Sequence, residues 1–348
     1  MKKQNLFFII VGALMVITAF LAVNCQGAGG TDTPAAITET SNANGEIKLS
    51  WSEFDSDDTT EYTVYAYNLS VRTATGSTAP TLTEFLEGKT AVTQITSFMT
   101  PVADWSGLTE PNTPDSAKSV SSLNLYTGTK YVFLVVGTRS GTVLTDTIVA
   151  KVIDIASNTG SDPKYYINSA SGTFHVAVIE AENILWINAA TKAKAQGGGA
   201  KLVEIENATE QSNVEAAIGE IPSADITGFT VVADGGGARY LWIGATDKAA
   251  EGTWVWDGDN DGTSSPLGTA VTTSNVLQTW TTASLAYENW GEGATSTTPY
   301  QAEPDDYNNQ DYAAIALTKW PTGVPYQWND IAGTNALNGY ILEAGKDW

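Results

Sequence analysis

The chain has 348 residues, enough for two or three domains, and its 42% hydrophobic and 16% charged content excludes a disordered polypeptide. A formal net charge of -22 excludes a surface built to hold nucleic acid or anionic lipid headgroups; it favours divalent cations and also serves solubility. One cysteine and one histidine exclude an intramolecular disulfide and leave the His- and thiol-based hydrolase and metalloprotease constellations unsupported. Thr, Ser, Gly, Val and Trp are plentiful and long helical runs are missing, so mostly β structure is expected.

Met1-Lys2-Lys3 followed by the apolar run 6–23 has the charged start and hydrophobic stretch of a bacterial export signal. The run closes on Leu21-Ala22-Val23-Asn24-Cys25, which resembles a lipobox with Asn24 in place of the usual small residue. That resemblance implies removal of residues 1–24 and lipidation of Cys25, hence an exported, membrane-anchored lipoprotein of the outer membrane or cell surface. The alternative is an uncleaved anchor, since 18 apolar residues can just span a bilayer. Both readings place the folded part outside the cytoplasm. Loss of Lys2 and Lys3 would take the net charge from -22 to -24. Residues 25–45 hold almost no large apolar side chain and are expected to be a flexible tether, reaching roughly 25 Å on average.

From Glu46 the pattern alternates. Ile47, Leu49 and Trp51 fall on one strand face, and 62–67 and 131–136 are two further β runs. The segment Leu125-Tyr-Thr-Gly128-Thr129-Lys-Tyr131 is similar to the strand turn of a fibronectin type III domain, with Thr127 where Pro is usual. The resemblance implies a β-sandwich over residues 46–156, with Tyr131 as the corner tyrosine bonded back to the chain and Trp51 in the core. No titratable cluster marks this part, so a spacer or docking module is expected. Residues 156–163 carry loop-forming side chains only and mark the boundary.

Residues 164–348 hold nine of the eleven Trp. Asn207 with Glu210 three residues on predicts the start of a helix burying Val214 and Ile218. Near the end, Glu303, Asp305 and Gln310 fall on one short loop, and Asn329 and Asp330 on another. Hard oxygen donors converging from two loops suit a calcium ion. Pro304 makes the Glu303-Pro304 bond the natural place for a cis peptide, turning Glu303 and Asp305 to the same side.

In Glu303-Pro304-Asp305, Gln310-Asp311-Tyr312 and Trp328-Asn329-Asp330 the chain resembles a C-type lectin-like domain. The likeness extends to Trp186-x-x-Ala189-x-x-x-Ala193, Trp242-Ile243-Gly244, Glu251-Gly252-x-Trp254-x-Trp256 and Gly339-Tyr-Ile-Leu-Glu343. It implies an α+β domain over 164–348 with two short helices, small mixed sheets and a long loop. It further implies a calcium and carbohydrate site at Glu303, Asp305, Gln310, Asn329 and Asp330, a glycan or glycoprotein ligand, and no enzymatic activity. The family cysteines are absent, as at Ala193 and Tyr312. A cross-link typically adds about 2–4 kcal/mol, which core packing or bound calcium must supply here.

Two positions depart from a mannose-type site, Asp305 for Asn and Gln310 for Glu, so the summed charge is unchanged. Sugar recognition is more exposed to the change. Glu303 and Asp305 only accept hydrogen bonds, whereas a hydroxyl has one proton to give. A slipped register would bring in Asp306, Asn309 or Asp311. A lectin-like scaffold binding a protein partner without sugar or metal is the alternative function, and a carboxylate-pair glycosidase is disfavoured only by the resemblance. Asp257, Asp259 and Asp261 have the D-x-D-x-D-G spacing of a calcium loop, but Gly268 stands where a bidentate Glu is needed, so a solvated turn is favoured over an auxiliary calcium site. His175 is expected to be structural.

Overall fold

The computed structural model describes residues 37–43, 45–51, 60–69, 99–102, 105, 118–119, 123–140, 142–143, 149–158, 162–167, 175–262, 265–273, 276–280, 287–291, 303–307, 309–319 and 324–343. The export-signal region, Cys25 and the first part of the tether lie outside the described residues. Among the described residues no helix is long and apolar enough to cross a membrane. The chain is mostly β, with a few short helices and mixed sheets.

The first part contains strands β1 (Thr38–Ala43), β2 (Glu46–Ser50), β3 (Thr60–Asn68), β4 (Thr100–Pro101), β5 (Lys118–Ser119), β6 (Lys130–Arg139), β7 (Thr142–Val143) and β8 (Val149–Asp154). They form a three-stranded sheet, β1-β2-β5, and a five-stranded sheet, β4-β3-β6-β7 with β8 also on β6. Period-two alternation decides which residues meet. Tyr62, Val64 and Ala66 of β3 and Tyr131, Phe133 and Val135 of β6 bury one face together with Ile47, Leu49 and Trp51. Val132, Leu134 and Val136 of β6 bury the other face with Tyr67, Leu69 and Met99. The Tyr131 hydroxyl accepts from the Tyr126 backbone N–H at 3.0 Å, the return bond expected of a corner tyrosine.

The tether ends earlier than expected. Thr38–Ala43, within the stretch assigned to a flexible spacer, is a strand paired antiparallel with β2 from Thr38↔Ser50 to Ala43↔Glu46. Backbone pairing holds it, with Ile37 just ahead of it buried beside Ile47, Leu49 and Trp51. The Asn42 side chain adds two bonds, donating to the Asp154 carbonyl (2.6 Å) and accepting from the Ala156 N–H (2.7 Å). A stretch poor in large apolar residues carries no trace of such pairing in its hydropathy.

The second part contains β9 (Lys164–Ile167), β10 (His175–Ile184), α1 (Trp186–Ala195), β11 (Lys201–Leu202), α2 (Ala208–Gly219), α3 (Ser223–Gly228), β12 (Tyr240–Thr246), β13 (Thr253–Trp256), β14 (Ser265–Thr273), β15 (Val276–Trp280), β16 (Tyr312–Ala316), β17 (Trp328–Ile331) and β18 (Leu337–Glu343). One mixed sheet runs β15-β14-β13-β12-β18-β10-β9, with β11 on β18 and β16 bridging β12 to β17. Central β12 is buried on both faces. Tyr240 and Trp242 pack toward α1 through Trp186, Ala189, Ala190 and Ala193. Leu241, Ile243 and Ala245 pack toward Val214 and Ile218 of α2 and toward Trp254, Trp256 and Trp328. Asn207 caps α2 by accepting from the Thr209 and Glu210 N–H groups, and Glu210 accepts from Glu206 N–H. The short helix α3 departs from the two-helix expectation; it buries none of its residues and so lacks the apolar stripe that marks a helix in sequence.

Aromatic packing holds Tyr312 against the core. Tyr312 stacks on Trp186 with centroids 4.7 Å apart and meets Trp242 edge-on, contacts worth about 0.5–1.5 kcal/mol beyond buried area. The β10–β18 ladder leaves no room at Gly339, where a Cβ would lie 2.0 Å from the Val178 carbonyl oxygen. Gly339→Ala should therefore cost about 3 kcal/mol, read as a lowered midpoint in denaturant with unchanged slope. A variant as stable as the parent would show that the ladder spreads freely.

Candidate functional site

The site grows from the pairing of β16 with β17, which sets Asp330 opposite Ala313 and Asn329 opposite Ala314. Trp328 fixes β17 from below. It is fully buried, donates its indole N–H to Gln211 of α2 (3.0 Å), and meets the rings of Trp256, Trp290 and Tyr287 edge-on. The loop that precedes β16 is tied to this strand through Gly291, whose N–H donates to the Trp328 carbonyl (2.8 Å) and whose carbonyl accepts from the Glu303 N–H (2.9 Å). A Cβ at Gly291 would press on the Glu303 side chain at 3.2 Å. The Glu303–Pro304 peptide is cis, in line with the sequence expectation.

Glu303, Asp305 and Asp330 come together, one carboxylate oxygen from each lying within 4.8 Å of the others. Asp330 is fully buried. Its two oxygens accept the backbone N–H groups of Asp305 (3.2 Å) and Asp306 (2.8 Å), so it also shapes the loop it faces. Two further oxygens are stranded. Glu303 Oε2 and Asn329 Oδ1 are buried, in residues only 3% exposed, and meet no N–H or hydroxyl donor; Glu303 can bond to the Asp330 carboxyl only when one of the two holds a proton. The direction of the Asn329 amide follows from its neighbours: the Tyr240 hydroxyl donates to the Gly235 carbonyl (2.7 Å) and accepts Asn329 Nδ2–H (3.1 Å), which leaves Oδ1 turned away from that bond. A buried acceptor without a donor forfeits its hydration; Glu180 Oε1 is another such oxygen, and Glu303 differs from it in standing among three gathered carboxylates. A hard cation, which takes oxygen ligands only, fits this donor set.

The electrostatics agree. Burial, followed by the charges of Asp330 and Asp305, pushes the Glu303 carboxyl well above the usual range. Burial raises Asp330 to about 7, with the Asp305 charge adding to the rise, and burial also raises Asp305. Without a counter-ion these carboxyls hold protons that ordinary carboxylates release.

Gln310 stands differently from the sequence expectation. Its Oε1 accepts from Tyr307 N–H (3.0 Å) and its Nε2 donates to the Asp234 carbonyl (3.2 Å), so its amide braces the loop. Of the slipped-register residues, Asp306 accepts from Gln310 N–H, and Asn309 donates to Asp311.

Asp311 belongs to a second group that sequence reasoning does not single out. Asp247, Glu251 and Asp311 place carboxylate oxygens within 4.8 Å of one another. Asp247 is buried, accepts from Gly252 N–H through Oδ2 (2.9 Å), and leaves Oδ1 without a donor. Burial, then the charges of Glu251 and Asp330, lifts it to about 8. Lys248 pairs with Asp311 at 2.8 Å. The available signal is a carboxylate pair four residues apart in the turn after β12, where Glu251 also opens a core-strand motif. Asp257, Asp259 and Asp261 also gather, but Lys194 is their counter-ion, 3.0 Å from Asp259 and 3.8 Å from Asp261. Asp257 Oδ1 closes the turn by accepting from Asp261 and Gly262 N–H. These three aspartates have a lysine counter-ion and a turn to close, and none of them leaves a buried oxygen without a donor as Glu303 and Asp247 do.

His175 is buried in the β10–β18 ladder opposite Glu343 and belongs to none of the three carboxylate groups. An aromatic ring, Tyr307, stands 55% exposed on the 303–311 loop. No protein-family model matches the chain, and no match is found among curated proteins.

Proposed function

We propose that the chain is an exported lipoprotein, anchored through Cys25, whose C-type lectin-like second part binds carbohydrate through calcium and whose fibronectin type III-like first part supports it. The observation that carries the reading is the donorless buried Glu303 Oε2, on a carboxylate that gathers with those of Asp305 and Asp330, together with a second donorless buried oxygen, Oδ1 of Asn329, the residue before Asp330. Calcium would be held by Glu303, Asp305, Asn329 and Asp330, and when bound it offers open coordination positions to sugar hydroxyls. Because one hydroxyl has a single proton to give, Glu303 and Asp305 would each accept a hydrogen bond from a different hydroxyl, and exposed Tyr307 offers an aromatic face to the C–H side of a pyranose ring. One shallow site binds in the millimolar range, about -4 kcal/mol, so adhesion to a glycan or glycoprotein surface would come from many copies on one membrane.

One observation favours a second reading, a scaffold that binds a protein partner. The amide groups of Gln310 and Asn329, which a sugar hydroxyl would use as donors, are each bonded to the scaffold. A glycan array probed in calcium and in chelator separates the two. Calcium-dependent binding is expected, and Asp305→Asn with Gln310→Glu should shift it toward mannose-type diols by tenfold or more, about 1.4 kcal/mol. No glycan binding by either protein, with calcium bound, would hand the site to a protein partner.

A further inference from the structure

The boundary between the two parts is a packed seam, centred on Gln196, the residue that closes α1. Its carbonyl accepts the Asn68 N–H (2.8 Å). Its side-chain Oε1 accepts from Asn68 Nδ2 (2.7 Å) and from the Tyr131 hydroxyl (2.7 Å), while Nε2 donates to the carbonyls of Lys192 (2.6 Å) and Asn124 (3.4 Å). Asn68, Tyr131 and Gln196 are all buried. The corner tyrosine of the first part therefore accepts from its own domain and donates to the other.

Apolar contacts complete the seam. Tyr126, four residues ahead of β6, belongs to the same core cluster as Trp186 and Trp242 of the second part. Its ring meets Tyr165 of β9 edge-on at 5.9 Å, and the Lys192 ammonium lies 5.5 Å from its centroid. Gly198 has a positive φ, and a Cβ there would lie 2.6 Å from the Tyr67 ring, so the second part's backbone closes directly on the first. Among the described residues between the two parts, Asp162 accepts from the Ser157 hydroxyl and from Asn158 N–H.

We infer that the two parts are one rigid body locked by Gln196 and Tyr126, so that the first is a fixed base that aims the 303–311 loop rather than a bead on a string. The aim is carried by α1. Gln196 closes one end, and Trp186 at the other, about 15 Å away, stacks on Tyr312 beside Asp311. This inference holds whatever the loop binds.

The test is a pair of spin labels on the full chain in detergent, at Thr142→Cys and Glu220→Cys, with Cys25→Ser so that only the introduced thiols react. Both positions are exposed, one in each part. A single narrow distance distribution is expected, broadening at least twofold when Tyr126→Ala and Gln196→Ala are added. A broad distribution with the seam intact overturns the rigid body. A narrow one that survives both substitutions overturns the lock, and circular dichroism of that variant separates a loosened seam from an unfolded chain, which would be repeated with Gln196→Ala alone.

Discussion

Calcium added to the full chain should raise its midpoint of thermal unfolding saturably, by roughly 5–10 °C at a hundredfold excess over Kd. The figure follows from linkage: a ligand that binds only the folded state adds about 2.7 kcal/mol at that excess, and a domain of this size gains roughly 2–4 °C per kcal/mol. Asp330→Ala should abolish the rise, because Asp330 is both an oxygen donor beside Glu303 and the acceptor that holds the backbone of Asp305 and Asp306. Glu303→Gln is the gentler companion, removing one charge while keeping the side chain's size. Asp247→Asn marks the second group. A rise lost in Asp247→Asn but kept in Asp330→Ala would move the calcium to Asp247, Glu251 and Asp311. No shift at millimolar calcium in the parent chain would sink calcium binding altogether.

How far the sequence reaches can be judged from these residues. The gathering of Glu303, Asp305 and Asp330 is legible because short-range order places it: a turn of a few residues, an X-Pro bond, and an aspartate on the short strand β17. The alternating faces of β3 and β6 and the Asn207 cap are legible for the same reason. The group at Asp247 is not, since Asp311 joins it only through the pairing of β12 with β16, more than sixty positions along the chain. The orientation of an amide is equally hidden. Gln310 and Asn329 carry the same functional group, yet Asp234 and Tyr240, both distant in sequence, decide which end of each is committed to the scaffold. The Gln196 seam escapes as well, because a glutamine after a helix reads as a solvated end until Asn68 and Tyr131 are seen against it.

Without calcium, stability should fall as pH rises from about 5 to about 8, the reverse of ordinary acid denaturation. The sign follows from the raised carboxyls. Glu303, Asp330 and Asp247 hold protons in the folded chain at pH values where the unfolded chain has released them, so folding takes up protons. Their contribution is full below the ordinary carboxylate range, near pH 4, and is lost as pH climbs through the folded values, about 7 for Asp330 and about 8 for Asp247. A carboxyl that titrates one pH unit higher in the folded chain than in the unfolded one contributes about 1.4 kcal/mol, enough to move the midpoint by a few degrees. Saturating calcium should flatten or invert the slope, because a cation stabilises the ionised form that burial opposes, and binding then releases protons. Calorimetry in two buffers of different ionisation enthalpy reads that release directly. A chelated chain whose midpoint rises steadily from pH 5 to 8 would mean that these carboxylates are ionised and satisfied within the fold, leaving no buried charge for a cation to answer.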